Sequence, residues 1–196
     1  MKKIILATHN KGKVREMKEI LSNLDIDILT KDDAGIDIDP EENGSTLEEN
    51  ALIKAKAIYA IKEIPVIADD TGLFVEALNG APGVRSARYA GMDGNDSANR
   101  EKLLDELKDI HNRKACFETV VCFIDSKGHE TFAKGRCYGT INREEAGDNG
   151  FGYDCLFTPQ GESRTFAEMS DEEKNKLSHR AKALNQLRIL LEEYKG

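Results

Sequence analysis

With 196 residues, 39% of them apolar and 33% charged, the chain has the make-up of one soluble domain with a substantial core. Its 28 basic against 36 acidic residues leave a net charge of −8, which argues against a general nucleic-acid-binding surface. No apolar run approaches the roughly 20 residues of a membrane span. The stretch after Met1-Lys2-Lys3 is too short for a secretion signal, so the expected location is the cytoplasm.

In chain order, Lys3–Ala7 reads as a strand that runs into Thr8-His9-Asn10-Lys11-Gly12-Lys13 and then a helix. That helix has Val14, Met17, Leu21 and Leu24 on one face. A short strand is expected at Asp27–Leu29, followed by an acidic, glycine-bearing loop over residues 31–45. Ser45-Thr46-Leu47-Glu48-Glu49 offers a capping-box start to a helix carrying Leu47, Ala51, Ala55, Ile58 and Tyr59. A strand over Pro65–Asp70 follows, and the turn-rich Asn79–Gly83 marks a boundary between lobes. Asn95–Ile110 is expected to be helical, and Phe117–Asp125 and Glu130–Tyr138 flank the hairpin signal Ser126-Lys127-Gly128. Ser170 opens a further capping box, and Ser178 can cap a last helix that buries Leu184, Leu187, Leu191 and Tyr194. The four cysteines have no zinc-site spacing and are expected as free thiols, Cys116 and Cys122 buried.

The chain is organised around Pro65-Val66-Ile67-Ala68-Asp69-Asp70-Thr71-Gly72, read as a buried strand ending in two carboxylates. Chemistry gathers at the carboxyl edge of strands in open α/β sheets. Adjacent carboxylates there suit Mg²⁺, which takes oxygen ligands along with substrate phosphates. Asp and Gly also serve plain turns; basic and glycine-rich stretches elsewhere favour the site. Lys11 and Lys13 lie at one helix start and His179-Arg180 at another, where the helix dipole disfavours cations. A bound anion would resolve both conflicts. Glu49 is either the closing residue of a capping box or a carboxylate facing Asp69 and Asp70. Phe151-Gly152-Tyr153-Asp154 is either a platform for a planar base or a core aromatic at a bulge. Asp70-Thr71-Gly72 matches the short aspartic-protease signature, but that chemistry needs two such carboxylates and only one copy occurs.

Seven segments in order resemble the inosine triphosphate pyrophosphatase family: Thr8–Lys13, Thr46–Ala55, Ala68–Leu73, Gly80–Gly83, Ser86–Gly91, Phe151–Asp154 and Ser178–Arg180. The resemblance implies a single two-lobed α/β domain over residues 1–196, with a long mixed central sheet flanked by helices and a nucleotide cleft between lobes. It also implies a homodimer, a nucleotide substrate, and Mg²⁺-dependent hydrolysis of ITP, dITP and XTP to the monophosphate and pyrophosphate; the charge and the short apolar runs noted above predict no nucleic acid and no membrane as partner. Carried over, Thr8, His9, Asn10, Lys11, Gly12 and Lys13 hold the phosphates. Glu49 and Asp70 hold Mg²⁺ with Asp69 close by, Asp70 activates water, and Thr71 touches substrate. Phe151, Gly152, Tyr153, Asp154, Lys174, His179 and Arg180 surround the base. Cys155 and Arg85 depart from the family pattern, where proline and an aromatic residue are common.

Two other functions fit parts of this pattern. A non-enzymatic purine-nucleotide sensor explains the phosphate loop and base platform but leaves the acids without a purpose. A phosphohydrolase for another ester would release orthophosphate instead of pyrophosphate.

Overall fold

The computed structural model describes residues 2–92 and 94–193. It is a mixed α/β fold with strands β1 (Lys2–Leu6), β2 (Ile26–Leu29), β3 (Val66–Val75), β4 (Pro82–Gly83), β5 (Lys114–Ile124), β6 (Glu130–Ile141) and β7 (Phe157–Pro159). The helices are α1 (Lys11–Ile20), α2 (Leu47–Lys62), α3 (Asp96–Glu106), α4 (Asp171–Leu177) and α5 (His179–Glu193). The sheet order is β2-β1-β3-β5-β6-β7, with β4 paired to β3. β1 runs parallel to β2 and β3, as βαβ connections through α1 and α2 require, whereas β3–β4 and β6–β7 are antiparallel.

The chain divides into two compact units, one formed by Met1–Asp70, Thr119–Gly135 and Arg180–Gly196 and the other by Thr71–Glu118 and Arg136–His179. In the first unit, Ile4, Leu6 and Ile67 pack with Met17 and Leu21 of α1 and with Leu184, Leu187 and Leu191 of α5. Ile5, Val66 and Ala68, one residue out of step on the same strands, pack instead with Ala51, Ala55 and Ile58 of α2. Side chains alternate across a strand, so the two helical layers cover opposite faces. In the second unit, Leu73 and Val75 join Leu103, Leu107, Phe117, Phe157 and Phe166 in a separate core.

The elements expected from sequence form close to their expected places, with four differences. β3 does not end at Asp70 but continues through Thr71 and Gly72 to Val75. Gly72 is there for closeness, not for a turn: a Cβ on it would lie 2.6 Å from the Gly83 carbonyl oxygen on β4. The division between units falls between Asp70 and Thr71 on β3 rather than at Asn79–Gly83, which instead turns the chain from β3 into β4. α3 stops at Glu106, with Leu107 as its C-cap. Tyr194 lies outside the described residues. None of the four cysteines is joined in a disulfide, and Cys122 is buried as expected, whereas Cys116 is only half-buried.

Candidate active site

The start of α1 is built by its own side chains. The Thr8 hydroxyl accepts from the Asn10 amide at 3.1 Å, and the Asn10 side chain accepts from the Lys13 amide at 3.0 Å. Asn10 is thus the N-cap, and Lys11, Gly12 and Lys13 form the first turn, with no acid among them. Both ring nitrogens of His9 face acids, Asp32 at 3.6 Å and Asp39 at 3.5 Å. Lys13 reaches back to β3, its Nζ 3.0 Å from Asp69 Oδ2. Burial pulls the Lys13 ammonium below its usual 10.5, and nearby Lys54 and Arg180 add to this, with Asp69 opposing.

Asp69 is fully buried on the α1/α5 face, where Arg180 also approaches it at 3.5 Å and pairs with buried Glu16. Burial opposes ionisation of Asp69, but the charges of Lys13, Arg180 and Lys54 overcome it and hold the carboxyl well below the ordinary 3.8. Arg180, expected beside a base, is 1% exposed within this ion-paired cluster.

Asp70 faces the other way. Its Oδ1 accepts from Lys54 Nζ at 3.1 Å and its Oδ2 from Asn50 Nδ2 at 3.2 Å, both on α2. Lys54 Nζ lies 3.1 Å from Glu42 as well, so one ammonium serves two carboxylates. Burial weakens the Lys54 charge, yet Asp70, Asp69 and Glu42 together hold its proton above the usual 10.5. Asp70 has only a share of that cation. Burial, with Glu42 adding to it, therefore raises its proton affinity above the ordinary 3.8 despite Lys54 and Lys13. A buried carboxylate raised in this way suits general-base work.

Glu49 is occupied locally. Its Oε2 accepts from the Ser45 amide at 2.6 Å and the Ser45 hydroxyl at 2.7 Å, while the Thr46 hydroxyl caps the Glu49 amide at 3.1 Å. Among the described residues, no three His, Cys, Asp or Glu side chains converge as a metal cage. The pair bridged by Lys54, Asp70 and Glu42, is nonetheless an all-oxygen donor set around a cation, which is the set a hard divalent ion uses.

The second unit carries the aromatic-glycine loop. Asp154 Oδ2 accepts from the Phe151 amide at 2.9 Å and from Lys174 Nζ at 2.7 Å. Lys174 Nζ lies 5.0 Å from the centre of the Phe151 ring. Phe151 is half-buried, whereas Tyr153 is buried and donates its hydroxyl to the Ser86 carbonyl at 2.8 Å. Burial pushes the Tyr153 hydroxyl well above its usual 10, so it stays protonated and structural. Ser86 is itself a joint, accepting from the Leu73 amide at 2.8 Å and donating to the Gly83 carbonyl at 2.6 Å. His179 stacks on Phe117 at 4.6 Å between ring centres and is buried. Thr71 is half-buried on β3, the first residue of this unit.

Asn50, Lys54 and Glu42 are the partners that the sequence reading omitted. Asn50 and Lys54 did carry a signal: two polar residues four apart fall on one helix face, here among Leu47, Ala51 and Ala55. Glu42 carried none, being one acid in an acidic loop.

An α/β fold with a lysine-bearing helix start and a buried acid–ammonium centre has the parts that a phosphate-handling enzyme uses. The family model described as the Ham1 family matches residues 4–190, and the chain belongs to that family. Proteins named dITP/XTP pyrophosphatase in Clostridium perfringens and Haemophilus influenzae are each 50% identical to it, over 96% of this chain and 96% and 98% of theirs. The solved structure of the Staphylococcus aureus Ham1 protein superposes with a TM-score of 0.87 at 41% identity, covering 98% of this chain and 99% of that one. That of a HAM1 protein from Coxiella burnetii gives 0.89 at 40% identity, covering 99% and 100%. Among the described residues, no helix is long and apolar enough to cross a membrane.

Proposed function

We propose that this protein is a nucleoside triphosphate pyrophosphatase that hydrolyses ITP, dITP and XTP to the monophosphate and pyrophosphate, removing them from the nucleotide pool. The observation that carries this reading is the 50% identity, along almost the whole of both chains, to proteins named dITP/XTP pyrophosphatase.

The residues take the following roles. The first turn of α1, with Lys11 and Lys13, binds the triphosphate through the Lys11 and Gly12 amides and its two ammonium groups. Asp70 accepts a proton from the water that attacks the α-phosphorus, and the bond from that phosphorus to the bridging oxygen breaks as pyrophosphate leaves. The raised proton affinity of Asp70 supports this role. Asp70 and Glu42 would hold a Mg²⁺ ion, with the substrate phosphates completing its oxygen shell. Bound there, the ion supplies charge neutralisation to the polyphosphate. Asp69 fixes Lys13, and Thr71 touches the substrate. In the second unit Phe151 offers the stacking face, and Lys174 and His179 offer donors that a 6-oxo purine accepts and adenine does not. By family resemblance the protein acts as a cytoplasmic homodimer, and a monomer mass by light scattering would contradict the dimer.

Incubation of the purified protein with ITP and Mg²⁺ tests the reading. IMP and pyrophosphate are expected in equal amounts. Tight binding with no product over hours would point to the sensor module instead, and orthophosphate to a different phosphohydrolase.

A further inference from the structure

The loop Phe151–Asp154 is held from two sides, and only one of them involves residues already given a role. Asp154 and Lys174 hold the Phe151 end. The Gly152 peptide is gripped by α3: Asp96 Oδ2 accepts from the Gly152 amide at 2.8 Å, and Arg100 Nη1 donates to the Gly152 carbonyl at 3.1 Å. Asp96 and Arg100 are four residues apart and so share one face of the helix. Arg100 is braced in turn, its Nε 2.7 Å from Glu145 Oε1.

We propose that Asp96 and Arg100 are positioning residues that set base selectivity by fixing both ends of the Gly152 peptide. The proposal rests on the reading of Phe151–Asp154 as the base loop. Gly152 has φ of +62°, a left-handed conformation open to glycine. A Cβ built on it meets nothing within 4 Å, so the space in front of this residue is open. Two hydrogen bonds from α3 fix its backbone. An acid in a helix first turn is ordinarily there for the dipole; Asp96 instead directs a carboxylate oxygen to an amide 56 residues further along the chain. Loss of the clamp frees the peptide between Phe151 and Tyr153, and the Phe151 ring loses its fixed angle to a stacked base. Discrimination falls as a result, while phosphate binding by the first unit stays as it was.

The test compares Asp96→Ala, Asp96→Asn and Arg100→Met with the unaltered protein, each checked for a cooperative thermal transition. The kinetic constants for ITP and ATP are measured together with inhibition by pyrophosphate. Asp96→Ala is expected to lower the ITP-to-ATP ratio of kcat/KM about tenfold, the scale of one lost hydrogen bond. The loss should appear mainly in KM for ITP, with pyrophosphate inhibition unchanged. Asp96→Asn keeps an acceptor oxygen and should recover most of the ratio; Arg100→Met should shift it in the same direction. Hydrogen exchange of the Gly152 amide, which does not depend on activity, should be faster in Asp96→Ala. An unchanged ratio in folded Asp96→Ala and Arg100→Met, or unchanged Gly152 exchange, would overturn the clamp. Equal losses for ITP, ATP and pyrophosphate would overturn it too, as they indicate general damage. An unaltered protein that hydrolyses no ITP contradicts the proposed function instead, and the exchange measurement then decides the clamp by itself.

Discussion

Asp69 and Asp70 are consecutive on β3 and serve opposite faces of it: Asp69 Oδ2 lies 3.0 Å from Lys13 Nζ on α1, and Asp70 Oδ1 lies 3.1 Å from Lys54 Nζ on α2. The alternation of a strand that continues past both residues imposes this division. One acid is stripped of proton affinity by surrounding cations, and the other keeps an excess of it. A structural carboxylate and a basic carboxylate therefore stand side by side, separated by the direction in which each points.

Asp70→Asn should lower kcat by about 10²–10⁴-fold, the usual worth of a positioned general base. The amide keeps the shape and can still meet Lys54 and Asn50, so circular dichroism and nucleotide binding should change little. Turnover close to normal would contradict the assignment of Asp70 as the base.

Glu42 and Glu49 separate under metal titration. Glu42→Gln removes one of the two carboxylates around Lys54 and should raise the Mg²⁺ concentration for half-maximal rate. Glu49→Gln disturbs only the cap on Ser45 and should leave that concentration unchanged. A larger effect from Glu49→Gln than from Glu42→Gln would reverse the proposed ligand set.

The stability of the first unit should depend on acid through Asp69. Its carboxyl is held below the ordinary 3.8, so its contribution is complete above that pH and is lost as pH falls toward the lower folded-state value. At neutral pH, Asp69→Asn leaves Lys13 and Arg180 short of a buried partner and should cost about 3–5 kcal/mol. In urea unfolding at a series of pH values, the gap between the two proteins should narrow below pH 3.8. A gap that widens in acid would contradict the ion-paired state.

Tyr153→Phe removes the hydroxyl that donates to the Ser86 carbonyl and should cost about 0.5–1.5 kcal/mol in thermal or denaturant unfolding. Selectivity for ITP over ATP should stay the same, since the hydroxyl is spent within the second unit. A change in selectivity at unchanged stability would make Tyr153 a substrate contact.

Much of this was readable from residue order. The Thr46 cap, the Ser170 capping box, the hairpin at Ser126–Gly128 and the apolar faces of α1, α2 and α5 all rest on local rules and appear where those rules place them. Asp69-Asp70-Thr71-Gly72 misled because Asp and Gly are turn residues in isolation. Only the close approach of Gly83 explains Gly72 inside a strand, and that approach is a tertiary fact. The burial of Arg180 with Glu16 was equally hidden, because 164 residues separate the two partners. Asp96 and Arg100 carry no local sign of their grip on Gly152; nothing short of the folded chain brings α3 to that peptide.

The most direct test of the central claim is product analysis of the purified protein with ITP and with ATP, each with and without Mg²⁺. IMP and pyrophosphate formed only with metal, and much faster than AMP from ATP, is the predicted result. Metal-independent release, orthophosphate as the product, or no turnover of ITP at all would contradict it.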